Sequence, residues 1–288
     1  MNEFQLHTQK LDKLINKFIL HSKRFVEWSA FSYGTADLFR HPEPNNKFTY
    51  DHEYFNFTKS TKSLVSIRAL LKLNHNEDVL ILVRSIFENY LSTRFLNENV
   101  DSFEEFTIVL LKLFTREYVY DRENNIIVDR NGNKIANGIL NPSNFKLGKD
   151  KSYYPEFYGL LSNVGHSNFG IINFYRNRDL TFTIEKNNYP VLTRFFVIFV
   201  FTKLFEHVVT VDGEDFYDFN EEKKCYDLVI ESLLFQDKLI VELLKKIDED
   251  TALNPHRKKF NKKMKDMLKD MKKSLKEKLG SVNKDFLQ

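Results

Sequence analysis

Residues 76–97 read NEDVLILVRSIFENYLSTRFLN, and the fold class follows from this stretch. Its apolar residues recur three and four positions apart, which is the spacing of one face of a helix. A helix is therefore predicted over about Glu77–Asn97, with Asn76 or a neighbour as its cap. A similar pattern predicts a preceding helix over about Tyr54–Leu73. Because the connection Asn74-His75-Asn76 is short, the two helices are predicted to form an antiparallel helical hairpin.

Helical spacing predicts more helices on both sides of this hairpin. One runs from Phe4 towards Phe31, and Ser32–Asn46, which contains glycine and proline, is predicted as a loop. The segment over about Tyr189–Val209 is apolar on nearly all faces and is expected to be central. Gly280 is expected to stop the last helix. The other helices are expected over about Ser102–Tyr120, Pro155–Val164, Asn220–Asp248 and Pro255–Leu279.

A short β signal interrupts the helical pattern. The segment IIVDRNGNKI, Ile126–Ile135, predicts a hairpin with Asn131-Gly132 as its two-residue turn. Leu180–Ile184 also alternates, and is either a strand or an extended loop. The predicted fold is therefore mainly all-α: a helical bundle over residues 1–253, with a small β-hairpin insertion at about 123–151 and a basic C-terminal helix and tail over 254–288.

Composition narrows the class of protein. The 28 phenylalanines, against 9 glycines and 6 prolines, favour long helices packed through aromatic side chains. Cys225 is the single cysteine, which excludes an intramolecular disulfide and a thiolate zinc cluster. The N-terminus does not resemble a signal peptide, and the most apolar segment, Phe195–Phe201, is far shorter than the roughly 20 residues that span a bilayer. A cytoplasmic protein without a transmembrane segment is expected.

The net charge of +3 conceals a strongly basic C-terminal segment. Arg257–Lys278 holds eleven lysines and arginines against three acidic residues, so the rest of the chain is net acidic. Three interpretations stay open: a helix that binds RNA or DNA phosphates, a helix on a membrane surface, and a helix docked on the core. The lysines expected to contact phosphates include Lys258, Lys259, Lys262 and Lys263. An apolar stripe runs between the lysines: Phe260, Met264, Met267, Leu268, Met271 and Leu275.

Arg84 and Glu88 are the first candidate functional residues. They lie four positions apart on the apolar helix and therefore share a face. Burial of either charge alone is costly, which favours pairing. The pair is either a structural ion pair or an arginine that Glu88 positions for an anionic ligand.

His166 is the next candidate, at the end of the segment Leu160–Asn168, where a helix gives way to small and polar residues. A histidine there can approach a substrate and transfer a proton near neutral pH, or it can simply cap the helix. Ser162 and Asn163 are expected to orient His166 or to cap the helix. Further phosphate contacts are expected from Arg176 and Arg178.

Several reaction classes lack their usual sequence support. No Walker or Rossmann glycine pattern and no His-Glu-x-x-His motif is present, so no cofactor and no metal are expected. Arg68 and His75 satisfy an arginine–histidine spacing that chance alone produces about once in such a chain. An acidic patch is either a solvated loop or, for a metal-dependent nuclease, a cation site: Asp212, Glu214, Asp215 and Asp218.

Two segments carry a family resemblance: Asn76–Glu88, and YGLLSNVGH at Tyr158–His166. Together they resemble a bacterial domain family of unknown function, whose members pair an Arg-x-x-x-Glu helix with a later Tyr-x-x-Leu-Ser-x-x-x-His helix. That family in turn resembles the HEPN proteins, helical ribonucleases of toxin–antitoxin and phage-defence systems. The resemblance covers roughly Phe55–Asn168.

The resemblance implies a metal-independent ribonuclease that acts as a homodimer, with RNA as substrate and a protein partner encoded alongside. Arg84 would stabilise the charge of the phosphorane, His166 would transfer a proton, and Glu88 would position Arg84. HEPN enzymes carry arginine and histidine a few residues apart on one helix, whereas Arg84 and His166 are far apart in this sequence. The alternative is a non-catalytic RNA-binding or regulatory subunit of a defence complex.

Overall fold

The structure is a computed structural model that describes residues 3–29, 47–98, 109, 112–137, 153–165, 175, 181–184, 189–211, 219–249 and 255–285. The fold is mainly all-α, as predicted, with one small antiparallel sheet. Its helices are α1 (Glu3–Ser29), α2 (Lys47–Lys72), α3 (Asn76–Glu98), α4 (Tyr154–Gly165), α5 (Pro190–Val211), α6 (Phe219–Asp248) and α7 (Pro255–Asp285). Its strands are β1 (Tyr118–Asp121), β2 (Ile126–Asp129) and β3 (Lys134–Asn137).

Helix positions agree with the sequence pattern, apart from three differences at helix ends. α2 begins at Lys47 rather than near Tyr54. The helix expected over Ser102–Tyr120 ends earlier, because Tyr118 already belongs to β1. α7 continues through Gly280 to Asp285, so the expected stop is wrong. A glycine costs about 1 kcal/mol inside a helix and ends it only when a left-handed backbone follows. The predicted loop Ser32–Asn46 lies outside the described residues.

The chain forms two compact units. The first comprises Met1–Ala30, Phe57–Phe87 and Asp150–Gln288, and the second comprises Phe31–Asn56 and Glu88–Lys149. α7 is part of the first unit, where its buried stripe of methionines and leucines packs on α6. None of the helices in the described part of the chain is long and apolar enough to cross a membrane.

The sheet in the second unit is a meander in the order β1-β2-β3. The predicted hairpin is β2–β3, and β1 is an additional strand. Gly132 has φ 82°, and the amide of Asp129 donates to the carbonyl of Asn133 at 3.0 Å. The turn therefore spans three residues with a left-handed glycine, rather than the predicted two. Hydrogen bonds from Asn133, first from its side chain, lower the pKa of Asp129.

α5 forms the centre of the first unit, as its uniform apolarity predicts. Its phenylalanines are almost fully buried, and they contact α1 and α4 through their ring edges. The Phe18 ring lies 5.1 Å from that of Phe205, and the Phe157 ring lies 5.1 Å from that of Phe196. α1 and α4 are thereby held against α5 at defined positions along its length.

Arg194 is the buried charge that joins three helices in this unit. Its side chain is 5% exposed, and its Nε donates to Oδ1 of Asp12 on α1 at 2.8 Å. Nη2 donates at 3.3 Å to the carbonyl of Leu71, in the last turn of α2, which also accepts from the amide of Asn74 at 3.3 Å. Nη1 donates to the carbonyl of Pro190 at 3.2 Å. One guanidinium therefore satisfies a carboxylate and two carbonyls.

Replacement of Arg194 by methionine should lower the free energy of unfolding by about 3 kcal/mol, because it removes the buried guanidinium that bonds Asp12 and two carbonyls. Urea denaturation followed by circular dichroism measures the loss. Lys17→Met is the control, since it breaks the exposed ion pair with Glu231 and should cost about 0.5 kcal/mol or less. Equal losses in the two variants would contradict the role assigned to Arg194.

Candidate active site

Arg84 lies on α3, on a turn whose neighbours are fixed in the core. Val83 and Phe87 are fully buried, and the Phe87 ring lies 5.1 Å from that of Phe157 on α4. The same ring lies 5.4 Å from that of Tyr154. Arg84 itself is part-exposed. The turn is therefore anchored by its apolar residues, while the guanidinium stays within reach of solvent and ligands.

Tyr158 on α4 holds this guanidinium in place. Nη2 of Arg84 donates to the hydroxyl of Tyr158 at 3.0 Å, and Cζ lies 5.1 Å from the centre of the same ring. The ring face and the phenolic oxygen both attract a cation electrostatically. Neither contact cancels the positive charge, as a carboxylate would. The two contacts therefore orient the guanidinium of Arg84 against Tyr158.

The C-terminal end of α4 reaches the same guanidinium. A Cβ atom built on Gly165 would lie 3.5 Å from Nη1 of Arg84. His166 follows Gly165 directly in the sequence, but lies outside the described residues, as do Arg176 and Arg178. The structure therefore brings Arg84 to the residue that precedes the predicted proton-transfer histidine.

Ser162 shares a face of α4 with Tyr158 and Gly165, because residues four and seven apart align on a helix. Its Oγ is shielded from solvent and has no hydrogen-bond partner in the described part of the chain. Asn163 is exposed. The Ser162 hydroxyl on this face of α4 is therefore a hydrogen-bond donor without a partner among the described residues.

Glu88 lies one turn beyond Arg84 on α3 and is part-exposed. Both charges therefore avoid the full burial that the apolar helix pattern implies. The residues between them, Ile86 and Phe87, are almost completely buried. Loss of Arg84 should accordingly cost less than the roughly 3–5 kcal/mol of a fully buried pair.

The predicted phosphate-binding lysines lie on α7. Lys258, Lys259, Lys262 and Lys263 are exposed, and none has an ion-pair partner among the described residues. Phe260, which lies among them, is 47% exposed, although the rest of the apolar stripe is buried. Two other lysines of α7 form ion pairs with neighbouring helices: Lys265 bonds Asp248 on α6, and Lys278 bonds Glu206 on α5 at 2.8 Å. α7 is thus docked through one face and basic on the other.

The second unit contains a polar seam that the sequence pattern did not reveal. Asn56 on α2 donates to Oγ1 of Thr93 on α3 at 3.0 Å. Nε2 of His52 lies 2.8 Å from Nδ2 of Asn56 and 3.2 Å from Oγ of Ser92. These bonds, two of which join α2 to α3, satisfy polar groups in a region that is largely buried. His52 was missed because the predicted start of the helix, Tyr54, excluded it.

Arg68 and His75 do not form a site together. Arg68 donates to Oδ1 of Asn16 at 2.9 Å and lies 3.6 Å from a carboxylate oxygen of Asp12, which assigns it to the packing of α1 and α2. His75 lies 3.4 Å from a carboxylate oxygen of Asp78. The chance interpretation of their spacing accounts for both residues.

His75, Glu77 and Asp78 could together hold a metal ion, since their ligand atoms lie within 4.8 Å of one another. Burial raises the pKa of Glu77. Burial also raises the pKa of Tyr175, and the charges of Glu77 and Asp78 raise it further. Acidic residues in the first turn of a helix are favoured by the helix dipole without any metal. The position of Glu77 and Asp78 in the first turn of α3 therefore accounts for the acidic residues of this cluster.

Cys225 is not a candidate nucleophile. Its side chain is almost fully buried, and burial raises the pKa of the thiol to about 12. A reactive cysteine requires an accessible thiolate. Cys225 therefore belongs to the packing of α6.

Comparison with known families bears on one part of the chain. Residues 54–137 match the model of a family of unknown function, DUF5677, over less than a third of the sequence. The match includes Arg84 and Glu88 and ends before Ser162 and His166. No curated protein and no solved structure shows a significant match. Resemblance to an uncharacterised family is confirmed over this range, and resemblance to HEPN proteins stays a prediction.

The contact between Arg84 and Tyr158 can be measured as a coupling free energy. A double-mutant cycle of Arg84→Met and Tyr158→Phe should give about 1 kcal/mol, the value of a hydrogen bond to a charged donor at a part-exposed position. Urea denaturation supplies the four free energies of unfolding. Tyr120→Phe is the control, because its exposed hydroxyl bonds only Asn125 at 2.7 Å among the partners described, and it should show no coupling to Arg84. A coupling of zero for Tyr158 would show that it does not hold Arg84 in solution.

Proposed function

We propose that this protein is a metal-independent RNA endonuclease whose active site is formed by Arg84 and His166. In this reaction the 2′-hydroxyl of the RNA attacks the adjacent phosphorus, and the bond from phosphorus to the 5′-oxygen breaks. The products are a 2′,3′-cyclic phosphate and a 5′-hydroxyl. His166 accepts the proton of the attacking hydroxyl or donates one to the leaving oxygen. Arg84 stabilises the additional negative charge of the phosphorane.

The observation that carries this proposal is the position of Arg84 beside Gly165. Two segments separated by 81 positions of sequence supply the guanidinium and the residue that precedes His166. A reaction at one phosphate needs both groups within hydrogen-bond reach of it. The proximity of Arg84 to Gly165 supports the proposal, because Arg84 and His166 are far apart along the chain.

The environment of Arg84 suits phosphate rather than a neutral ligand. An arginine presents its donors in a planar fork that matches two oxygens of a phosphate. Tyr158 takes up Nη2. Nη1 lies next to Gly165, where a Cβ atom would lie 3.5 Å from it. The shielded hydroxyl of Ser162 adds a further donor on the same face of α4.

The wider setting of the proposed enzyme rests on the resemblance to HEPN proteins. It would be a cytoplasmic effector of a bacterial toxin or phage-defence system, active as a homodimer and controlled by a protein partner encoded alongside. Glu88 would position Arg84, and Asn163, Arg176 and Arg178 would contact the RNA.

A second candidate function is a non-catalytic RNA-binding or regulatory subunit of a defence complex. The exposed lysines of α7 favour it, because they are not neutralised by ion pairs in the described part of the chain. Phosphate binding through lysines supplies affinity without sequence preference. In this case Arg84 and Tyr158 would serve only the packing of α3 on α4.

Cleavage of RNA by the purified protein should persist in EDTA and should leave a 2′,3′-cyclic phosphate, because the nucleophile belongs to the RNA. A 2′-deoxy substitution at the cut site should abolish cleavage. His166→Ala should lower the rate by about 10²–10⁴ through loss of the acid or base. His75→Ala, at the exposed histidine that directly precedes α3, should leave the rate unchanged. Cleavage that needs added Mg²⁺, or no cleavage at all, would refute the nuclease.

Simultaneous replacement of Lys258, Lys259, Lys262 and Lys263 by glutamine should weaken RNA binding and reduce its salt dependence, by about 0.7 in the logarithmic slope for each lost phosphate contact on a single strand. Fluorescence anisotropy over a series of salt concentrations measures both quantities. Four glutamines at Lys10, Lys13, Lys17 and Lys23 on α1 form the matched control. If the two quadruple variants bind RNA alike, α7 is not an RNA-binding surface.

A further inference from the structure

One end of the small sheet in the second unit carries a group of exposed cations. The register pairs Tyr118 with Asp129, so the residues just before β1 lie beside the turn between β2 and β3. Nε of Arg130, in that turn, donates to the carbonyl of Arg116 at 3.4 Å. Lys134 follows the turn and begins β3 at the same end of the sheet. All three cations are exposed.

The carboxylates at this end are engaged in their own turns. The hydroxyl of Thr115 donates to Glu117 at 3.3 Å. Asp129 accepts from the amides of Asn131 and Asn133, each at 2.8 Å. In the described part of the chain, neither carboxylate forms an ion pair with one of the three cations. This end of the sheet therefore presents a net positive charge to solvent.

Arg116 occupies a backbone conformation that other residues adopt more readily. The helical residues 112–114 end in a Schellman motif: the amide of Glu117 donates to the carbonyl of Lys112 at 2.8 Å, and that of Arg116 to the carbonyl of Leu113 at 3.2 Å. Arg116 has φ 60°, at the position where glycine or asparagine is usual. Local stability does not favour an arginine here, so its charge requires another explanation.

Phe114 places an aromatic ring beside these cations. The residue lies two positions before Arg116 and is 86% exposed. A ring in solvent lowers stability unless a ligand covers it. Planar guanidinium groups bind phosphates through paired donors, and exposed rings stack on unpaired bases. This combination fits a single-stranded nucleic acid better than an acidic protein surface, which offers carboxylates but no bases.

We propose that this end of the sheet binds single-stranded nucleic acid, with Arg116 and Arg130 on two phosphates and Phe114 against a base. The inference goes beyond the proposed function, because it neither requires nor implies cleavage.

The test is the salt dependence of binding to a short, fluorescently labelled single strand of 2′-O-methyl RNA, which cannot be cleaved through its 2′-oxygens. The double variant Arg116→Asn, Arg130→Gln should reduce the logarithmic salt slope by about 1.4, the contribution of two phosphate contacts. Arg116→Asn alone should also raise the midpoint of urea denaturation, because asparagine adopts the left-handed backbone more readily. Arg122→Gln is the matched control: Arg122 is exposed in the turn at the opposite end of the sheet, between Asp121 and Glu123, and its loss should leave the slope unchanged.

Phe114→Leu tests the stacked base. It removes the aromatic face and keeps an apolar side chain. Affinity for the single strand should fall about fivefold or more, the contribution of one stacked base. Affinity for a fully paired duplex of the same sequence should not change, because paired bases keep their faces covered.

The outcomes separate this inference from the nuclease. A reduced slope for the double variant with an unchanged slope for Arg122→Gln supports the inference, whether or not the protein cleaves RNA. Equal slopes for the wild-type protein and the double variant overturn it, even if cleavage in EDTA succeeds. Equal losses of affinity for strand and duplex in Phe114→Leu, or polyglutamate that competes as well as RNA at matched charge, also overturn it. If circular dichroism shows that the double variant is unfolded, each single variant provides the comparison, with half the change in slope.

Discussion

Burial of the phenylalanines of α5 is the constraint on which the first unit depends. Most side chains of the helix are apolar and buried, so other helices must cover nearly all of its surface, and an all-α bundle is the result. Ring-edge contacts then set positions along its length: Phe18 of α1 against Phe205, and Phe157 of α4 against Phe196 and Phe199. Because Phe157 also meets Phe87, the same core fixes α3. These ring contacts therefore set the relative positions of α3 and α4, which carry the candidate site.

Aromatic rings serve the candidate site in a second way. On α4 the residue next to the buried Phe157 is Tyr158, whose ring face and hydroxyl hold Arg84. One turn earlier Tyr154 lies under the ammonium of Lys203. Each tyrosine ring thus contacts one cation, Tyr158 that of Arg84 and Tyr154 that of Lys203. The packing of the core and the electrostatics of the site therefore involve the same helix.

Periodicity in the sequence was sufficient to predict most helices and the central place of α5, because burial repeats at the helical period within each segment. It could not predict Tyr158 as the partner of Arg84 or the contact of Lys203 with Tyr154. Their roles depend on which turn of one helix meets which turn of another, and no spacing within one segment contains that information. His52 was missed because the start of α2 was placed near Tyr54, and helix ends depend on caps and local contacts more than on the apolar pattern. The predicted helix stop at Gly280 was wrong for a related reason, because the presence of a glycine does not show which backbone conformation it adopts.

The central claim is that Arg84 and His166 act on one phosphate in one transition state. A kinetic double-mutant cycle tests it most directly: RNA cleavage rates are measured for the wild-type protein, Arg84→Met, His166→Ala and the double variant. Residues that act as a unit lose little more together than the worse of them loses alone. The account predicts a double variant close in rate to the slower single variant. Losses that multiply, as for two independent sites, would contradict it.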